Sequence, residues 1–159
     1  MAIINLDTHI EAPIERVFDL ARSIDLHKLS TTGTNEEAIA GRTQGLIENN
    51  ETVTWRAKHF GVYQKLTVQV TKMNRPNLFT DRMISGAFSS MEHNHIFEIE
   101  GLGTKMTDIL KFTSPFGILG EFADYLFLKK YMTEFLKNKN RELKKIAESE
   151  DWKKILAQE

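Results

Sequence analysis

Two histidines stand two residues apart in "SSMEHNHIFEIEG", at His93 and His95. Imidazoles titrate near neutral pH, ligate metals and orient polar ligands, so the pair could serve a metal site, acid–base chemistry or recognition. Direction decides what they can reach. The stretch alternates as a strand does, which puts Met91, His93, His95, Phe97 and Ile99 on one face. Glu92, Asn94, Ile96, Glu98 and Glu100 occupy the other, plainly the wet one. The histidines are therefore expected to look into a core or a cavity.

Neighbouring strands extend this inward set. Val53, Trp55, Ala57 and His59 share a face in "ETVTWRAKHF", and Leu66, Val68 and Val70 form a clean apolar face in the next run. Phe79, Asp81, Met83 and Ser85 line up in "LFTDRMIS" with Arg82 outward, as do Met106, Asp108, Leu110 and Phe112 in "KMTDILKF". Five inward positions are polar: His59, Asp81, His93, His95 and Asp108. Buried carboxylates and imidazoles must pair to offset lost hydration, so these residues are expected to converge. Asp81 and Asp108 are placed on either side of the histidine strand, where carboxylates can orient imidazole tautomers. Three readings stay open: a satisfied polar patch of the core, a ligand-orienting cluster in an apolar pocket, and a histidine–carboxylate metal site. No metal or cofactor is assigned.

The chain carries no serine nucleophile elbow, phosphate-binding loop or dinucleotide fingerprint. "GLG" at Gly101–Gly103 reads as a hairpin turn, and "NRPNLF" as another turn with Arg75 in solvent. There are no cysteines, which removes thiolate catalysis and disulfides. A formal net charge of -1 gives no basic field for nucleic acid. The N-terminus "MAIINLDTHIEAP" alternates and does not read as a signal peptide, and no apolar run approaches the ~18 residues a membrane span needs. The expected setting is the cytoplasm.

The elements that must hold these residues follow from period. Residues 3–10 alternate as a half-buried strand. "EAPIERVFDLARS" switches to helical spacing, with Pro13 at its start and Ile14, Val17, Phe18 and Ala21 on one face. A second short helix, "SIDLHKL", is expected behind Ser23 as N-cap. Strands are predicted at 35–41, 51–60, 63–74, 78–85, 90–100 and 105–113, joined by short turns that favour antiparallel pairing. After "SPFG" one long helix runs to about Ser149, and residues 150–159 form a helical extension or a frayed tail. Residues 1–149 are expected to be one α+β domain, a curved antiparallel sheet of about seven strands around the long helix.

That helix has more apolar surface than one face needs. Ile118, Phe122, Tyr125, Leu126, Met132 and Leu136 form one stripe, and Phe127, Leu128, Tyr131 and Phe135 a second. Sheet curvature, a homodimer through Phe127, Tyr131 and Phe135, or a membrane surface near Lys129 and Lys130 would cover the second stripe.

The layout and the opening "IEAPIERVFDLARSIDLHKLS" resemble the START-like, or SRPBCC, helix-grip superfamily. The later stretch is similar to a bacterial branch of ligand-binding members through Phe79, Asp81, Gly86, Phe88, His93, His95, Phe97, Thr107 and Asp108. Met91 stands where that branch usually has tryptophan. The resemblance implies an apolar cavity between sheet and C-terminal helix that binds a small or medium hydrophobic molecule, such as a lipid, isoprenoid or polyketide-like aromatic. Candidate lining residues are Trp55, His59, Asp81, Met83, Met91, His93, His95, Phe112, Phe116, Phe122 and Leu126. The alternative it implies is a cyclase/dehydrase- or hydrolase-like enzyme, with His93 or His95 as acid/base and Asp81 or Asp108 as orienting partner.

Overall fold

The computed structural model describes residues 1–114 and 127–157. Strand β1 (Ala2–Ile10) is followed by helices α1 (Ile14–Ala21) and α2 (Ile24–Ser30). Six strands come next: β2 (Glu37–Gly41), β3 (Thr52–His59), β4 (Val62–Asn74), β5 (Leu78–Ser85), β6 (Ser90–Glu100) and β7 (Gly103–Thr113). Helices α3 (Lys129–Ala147) and α4 (Trp152–Leu156) end the chain. All seven strands pair antiparallel in one curved sheet, in the order β1-β7-β6-β5-β4-β3-β2. Phe116, Ile118, Phe122, Tyr125 and Leu126 lie outside the described residues.

Local chemistry accounts for most boundaries. Ser23 caps α2 by accepting from the Leu26 N–H at 3.2 Å, satisfying one orphan donor of the first turn. Strand β2 starts at Glu37 and not at the expected residue 35, because Asn35 takes a left-handed backbone with φ 49. The β6–β7 turn is tighter than expected. Gly101 adopts φ 60, and a side chain on Gly103 would come within 2.4 Å of the Ile10 carbonyl, so β7 begins directly at Gly103.

Alternation sorts core from solvent along most of the sheet. Val53, Trp55, Ala57, Val68, Val70, Phe79, Phe97, Met106, Leu110 and Phe112 are buried. Phe18 of α1 closes this layer, meeting Phe79 and Phe97 edge-on at 5.5 and 5.2 Å between ring centres. Ile99 departs from the pattern. It shares the inward parity yet is 74% exposed, because β5 begins at Leu78 opposite Ile96 and leaves the end of β6 without a neighbour on that side. Arg75 is exposed as expected, but it is not free in solvent. Its guanidinium donates to both oxygens of Asp19, at 2.7 and 3.1 Å, and so fastens the β4–β5 turn to α1.

Helix α3 lies against β1, α1 and α2, with Leu136, Asn140, Leu143 and Ala147 buried. Helix α4 returns to α1, where Arg16 sits 4.2 Å over the Trp152 ring and donates to the Ala147 carbonyl at the end of α3. Phe97→Ala is expected to lower the unfolding free energy by about 3–5 kcal/mol through loss of a packed ring. Ile99→Ala, two residues on, should change it by less than about 0.5 kcal/mol. Urea denaturation of the two variants measures the contrast.

Candidate functional site

Between the inner sheet face, α2 and α3 lies a cavity of about 440 Å³. Its described lining is mostly apolar, with Ile24, Val53, Trp55, Leu66, Val68, Phe79, Met91, Leu110, Met132, Phe135 and Leu136 among the walls. Three clusters of polar side chains interrupt this surface, beside the separate Arg22, Gln64, Lys65 and Lys139.

The largest group spans β5, β6 and β7. Register sets Asp81 opposite His93 and His95 opposite Asp108, so a carboxylate flanks the histidine strand on each side. Asp108 is 1% exposed and collects three donors. His93 Nε2 reaches its Oδ1 at 2.8 Å, His95 Nδ1 the same oxygen at 2.9 Å, and Asn140 Nδ2 donates to Oδ2 at 2.6 Å. Asn140 also donates to Thr8 Oγ1 at 3.1 Å, which joins β1, β7 and α3 through one amide. On the other side, His95 Nε2 reaches Asp81 Oδ2 at 3.2 Å.

Protonation follows from these contacts. Both ring nitrogens of His95 face carboxylates, so both carry protons. Burial pulls its pKa down, but the bonds to Asp108 and Asp81 outweigh this and hold it above the ordinary 6.5. His93 has one carboxylate partner and a charged imidazole beside it. Burial and that neighbouring charge push it to about 4, so it is neutral and donates from Nε2. Burial also pushes the Asp108 carboxyl up, but its histidine donors hold it well below the usual carboxylate range. Asp81 is lowered too, with the His95 bond overcoming burial.

The second group is His27 and Glu36, which form an ion-pair contact inside the cavity, with the His27 ring stacked on Trp55 at 4.0 Å. Burial, then the charge of Lys139, lowers the His27 pKa. The third is His59, whose Nδ1 lies 2.7 Å from the Tyr131 hydroxyl. Beside it Phe60 is held at φ 52, a left-handed backbone uncommon for a bulky side chain. Its ring packs on Phe127 and Tyr131 at 5.3 and 4.6 Å, and Phe60 and Phe127 remain more than half exposed at the cavity rim.

The structure therefore places Trp55, His59, Asp81, Met91, His93 and His95 on the cavity wall. Asp108 stands behind them. Met83 and Phe112 do not line it: Met83 lies toward the outer end of β5, and Phe112 packs into a separate core with Ala2, Ile4, Leu110 and Leu136. Phe116, Phe122 and Leu126 lie outside the described residues. Phe127, Leu128, Tyr131 and Phe135 of the second stripe all line the cavity, with Phe127 still exposed and the other three half-buried. Sequence reading missed His27, Glu36, Lys139 and Asn140. Asn140 had a signal, because it falls on the helical stripe between Leu136 and Leu143. Glu36 had none, since it precedes β2 in an irregular segment.

Asp81, His93 and His95 can each bring a ligating atom within 4.8 Å of the others, the spacing of a three-donor metal site. His95 would first have to release one of its two carboxylates, so the donor set is better suited to holding a proton than a cation.

No protein-family model matches the chain. No curated protein matches it either. Solved structures do. The protein TTHA0849 from Thermus thermophilus superposes with a TM-score of 0.74 at 22% identity, covering 91% of this chain and 95% of that one. A START superfamily protein from Mycobacterium smegmatis gives 0.70 at 12% identity, covering 92% and 97%. Major latex-like protein 151 of Panax ginseng gives 0.68 at 12% identity, again covering 92% and 97%.

The paired charges predict a two-sided pH profile. His93 has a folded pKa below its unfolded value, so stability is lost as pH falls from about 6.5 toward 4, and the lowered Asp81 and Asp108 continue the loss in stronger acid. His95 has a raised folded pKa, so its contribution is present below 6.5 and is lost as pH rises through the folded value. Asp108→Asn should destabilise by about 3–5 kcal/mol at neutral pH and flatten the alkaline side. Denaturant midpoints across pH measure both. A sheet of seven antiparallel strands curved around a C-terminal helix is a helix-grip fold, shared with the START superfamily protein of Mycobacterium smegmatis at low identity.

Proposed function

We propose that this chain binds a small or medium hydrophobic molecule, as a carrier or sensor, in the cavity between sheet and α3. The observation that carries the reading is the cavity itself: about 440 Å³, walled mainly by apolar side chains, with polar groups gathered at defined points. Small-molecule sites are commonly built this way, with apolar area supplying affinity and a few fixed polar atoms supplying orientation. The volume suits a lipid fragment, an isoprenoid or a polyketide-like aromatic. Residues 1–149 would act as one binding unit.

The rim supports the same reading. Phe60 and Phe127 expose large rings where a ligand would enter, and Phe60 holds an unfavourable backbone there against Tyr131. The polar wall favours orientation over proton transfer. His95 spends both nitrogens on carboxylates, and His93 spends Nε2 on Asp108 and is held well below the ordinary imidazole pKa by burial and by His95.

Nile red titration should saturate at one probe per chain, and native mass spectrometry of fresh protein should show a co-purified lipophilic mass. Phe135→Glu, which puts a charge into the apolar wall, should weaken uptake at least about tenfold. Ile84→Glu on the exposed outer side of β5 should leave it unchanged. Absence of saturable uptake by the wild type would end the reading.

A further inference from the structure

The polar end of the cavity holds more acceptors than donors. Asp81 lines the cavity and keeps 23% of its side chain accessible. Its Oδ2 is taken by His95, whereas Oδ1 has no hydrogen-bond partner among the described residues. His93 donates from Nε2 to Asp108, which leaves its Nδ1 as an acceptor, again without a partner among the described residues. A donor on the same cavity wall is Lys139. It acts electrostatically on Asp81, His93, His27 and Glu36, and makes no hydrogen bond or ion pair among the described residues.

Charge narrows the choice further. The carboxylates of Glu36, Asp81 and Asp108 face the ammonium of Lys139 and the doubly paired imidazolium of His95; with His27 neutral, as burial and Lys139 favour, this leaves an excess of one negative charge. Two further cations reach the lining. Arg22 is committed to Asp19 and Glu48, and Lys65 is exposed. A carboxylate entering this end would meet Asp81 as a like charge and leave both acceptors without a proton. A hydroxyl donates once and accepts at its oxygen, which matches a carboxylate acceptor beside an ammonium donor.

Resting on the cavity reading above, we propose that the ligand is an apolar alcohol or phenol and not a fatty acid, its hydroxyl donating to Asp81 Oδ1 and accepting from Lys139. Three probes with one apolar body separate the possibilities: decanol, decanoate and decyl methyl ether, each displacing Nile red at neutral pH. Decanol should bind about tenfold more tightly than either of the others, the scale of one hydrogen bond to a charged group. Asp81→Asn should bring decanoate close to decanol, and Lys139→Met should weaken decanol and the ether alike, since both oxygens can accept from the ammonium.

Decanoate binding as tightly as decanol to the wild type would overturn the proposal. So would equal binding of decanol and its ether, which would mean that the hydroxyl proton is not used. Nile red uptake with no displacement by any of the three defeats this inference alone, whereas no uptake of Nile red removes the cavity reading as well. The comparison on the wild type decides the matter even if Asp81→Asn fails to fold.

Discussion

A single buried carboxylate constrains more of this molecule than any other group. Asp108 is 1% exposed, and an isolated charge at that depth would cost far more than a small domain's net stability. It survives because three donors converge on it from two further elements, His93 and His95 from β6 and Asn140 from α3. Each donor imposes a geometric demand. The β6–β7 register must set His95 opposite Asp108, and a slip of one residue would turn both histidines to solvent. Helix α3 must approach close enough for a short amide side chain to reach the sheet. The polar cluster thus ties the position of the long helix to the register of the central strands.

That constraint also shapes the cavity. Around Asp108 the sheet and helix are joined, and Leu110, Phe112 and Leu136 pack with Ala2 and Ile4, Leu110 and Leu136 also forming the near wall of the cavity. Farther along, toward β3 and β4, the strands curve away from α3, and the space between Trp55, Leu66, Val68, Tyr131 and Phe135 stays open. The aromatic residues at the rim span this wider part. His59 and Tyr131 bond across it, joining the end of β3 to the start of α3. One end of the helix is fixed by a charge network, the other by rings and one hydrogen bond.

How much of this was legible in the sequence depends on whether a residue's role is periodic. Strands β5 and β6 fall on the expected residues because their alternation is clean and their flanking turns are explicit. The flanking of His93 and His95 by Asp81 and Asp108 follows from strand order and parity alone, since neighbouring antiparallel strands with short turns leave little freedom. Ile99 and Met83 have the right parity and the wrong depth. Parity reports which face a side chain takes, not how far the packed layer extends along the strand. Arg75 escaped because its partner Asp19 lies on another element, 56 residues away. Glu36 and His27 escaped for a related reason: their contact is set by how an irregular segment folds back on α2, which no period encodes.

The cluster also shows why pairing and recognition can share one wall. A buried proton held between two carboxylates, as on His95, is a poor reagent but a rigid reference point. Every hydrogen bond it makes fixes one atom of a neighbour and leaves the other atoms of that neighbour defined in position. Asp81 Oδ1 and His93 Nδ1 are such leftover atoms, oriented by bonds made on their far sides. A ligand meeting them loses little to their reorganisation, because their side chains were ordered during folding and not during binding. On the proposed reading, the histidines of "MEHNHIF" would act on a ligand chiefly through what they hold in place. Among the described residues, the hydrogen-bonding of this wall is complete toward the sheet, while Asp81 Oδ1 and His93 Nδ1 have no partner on the cavity side.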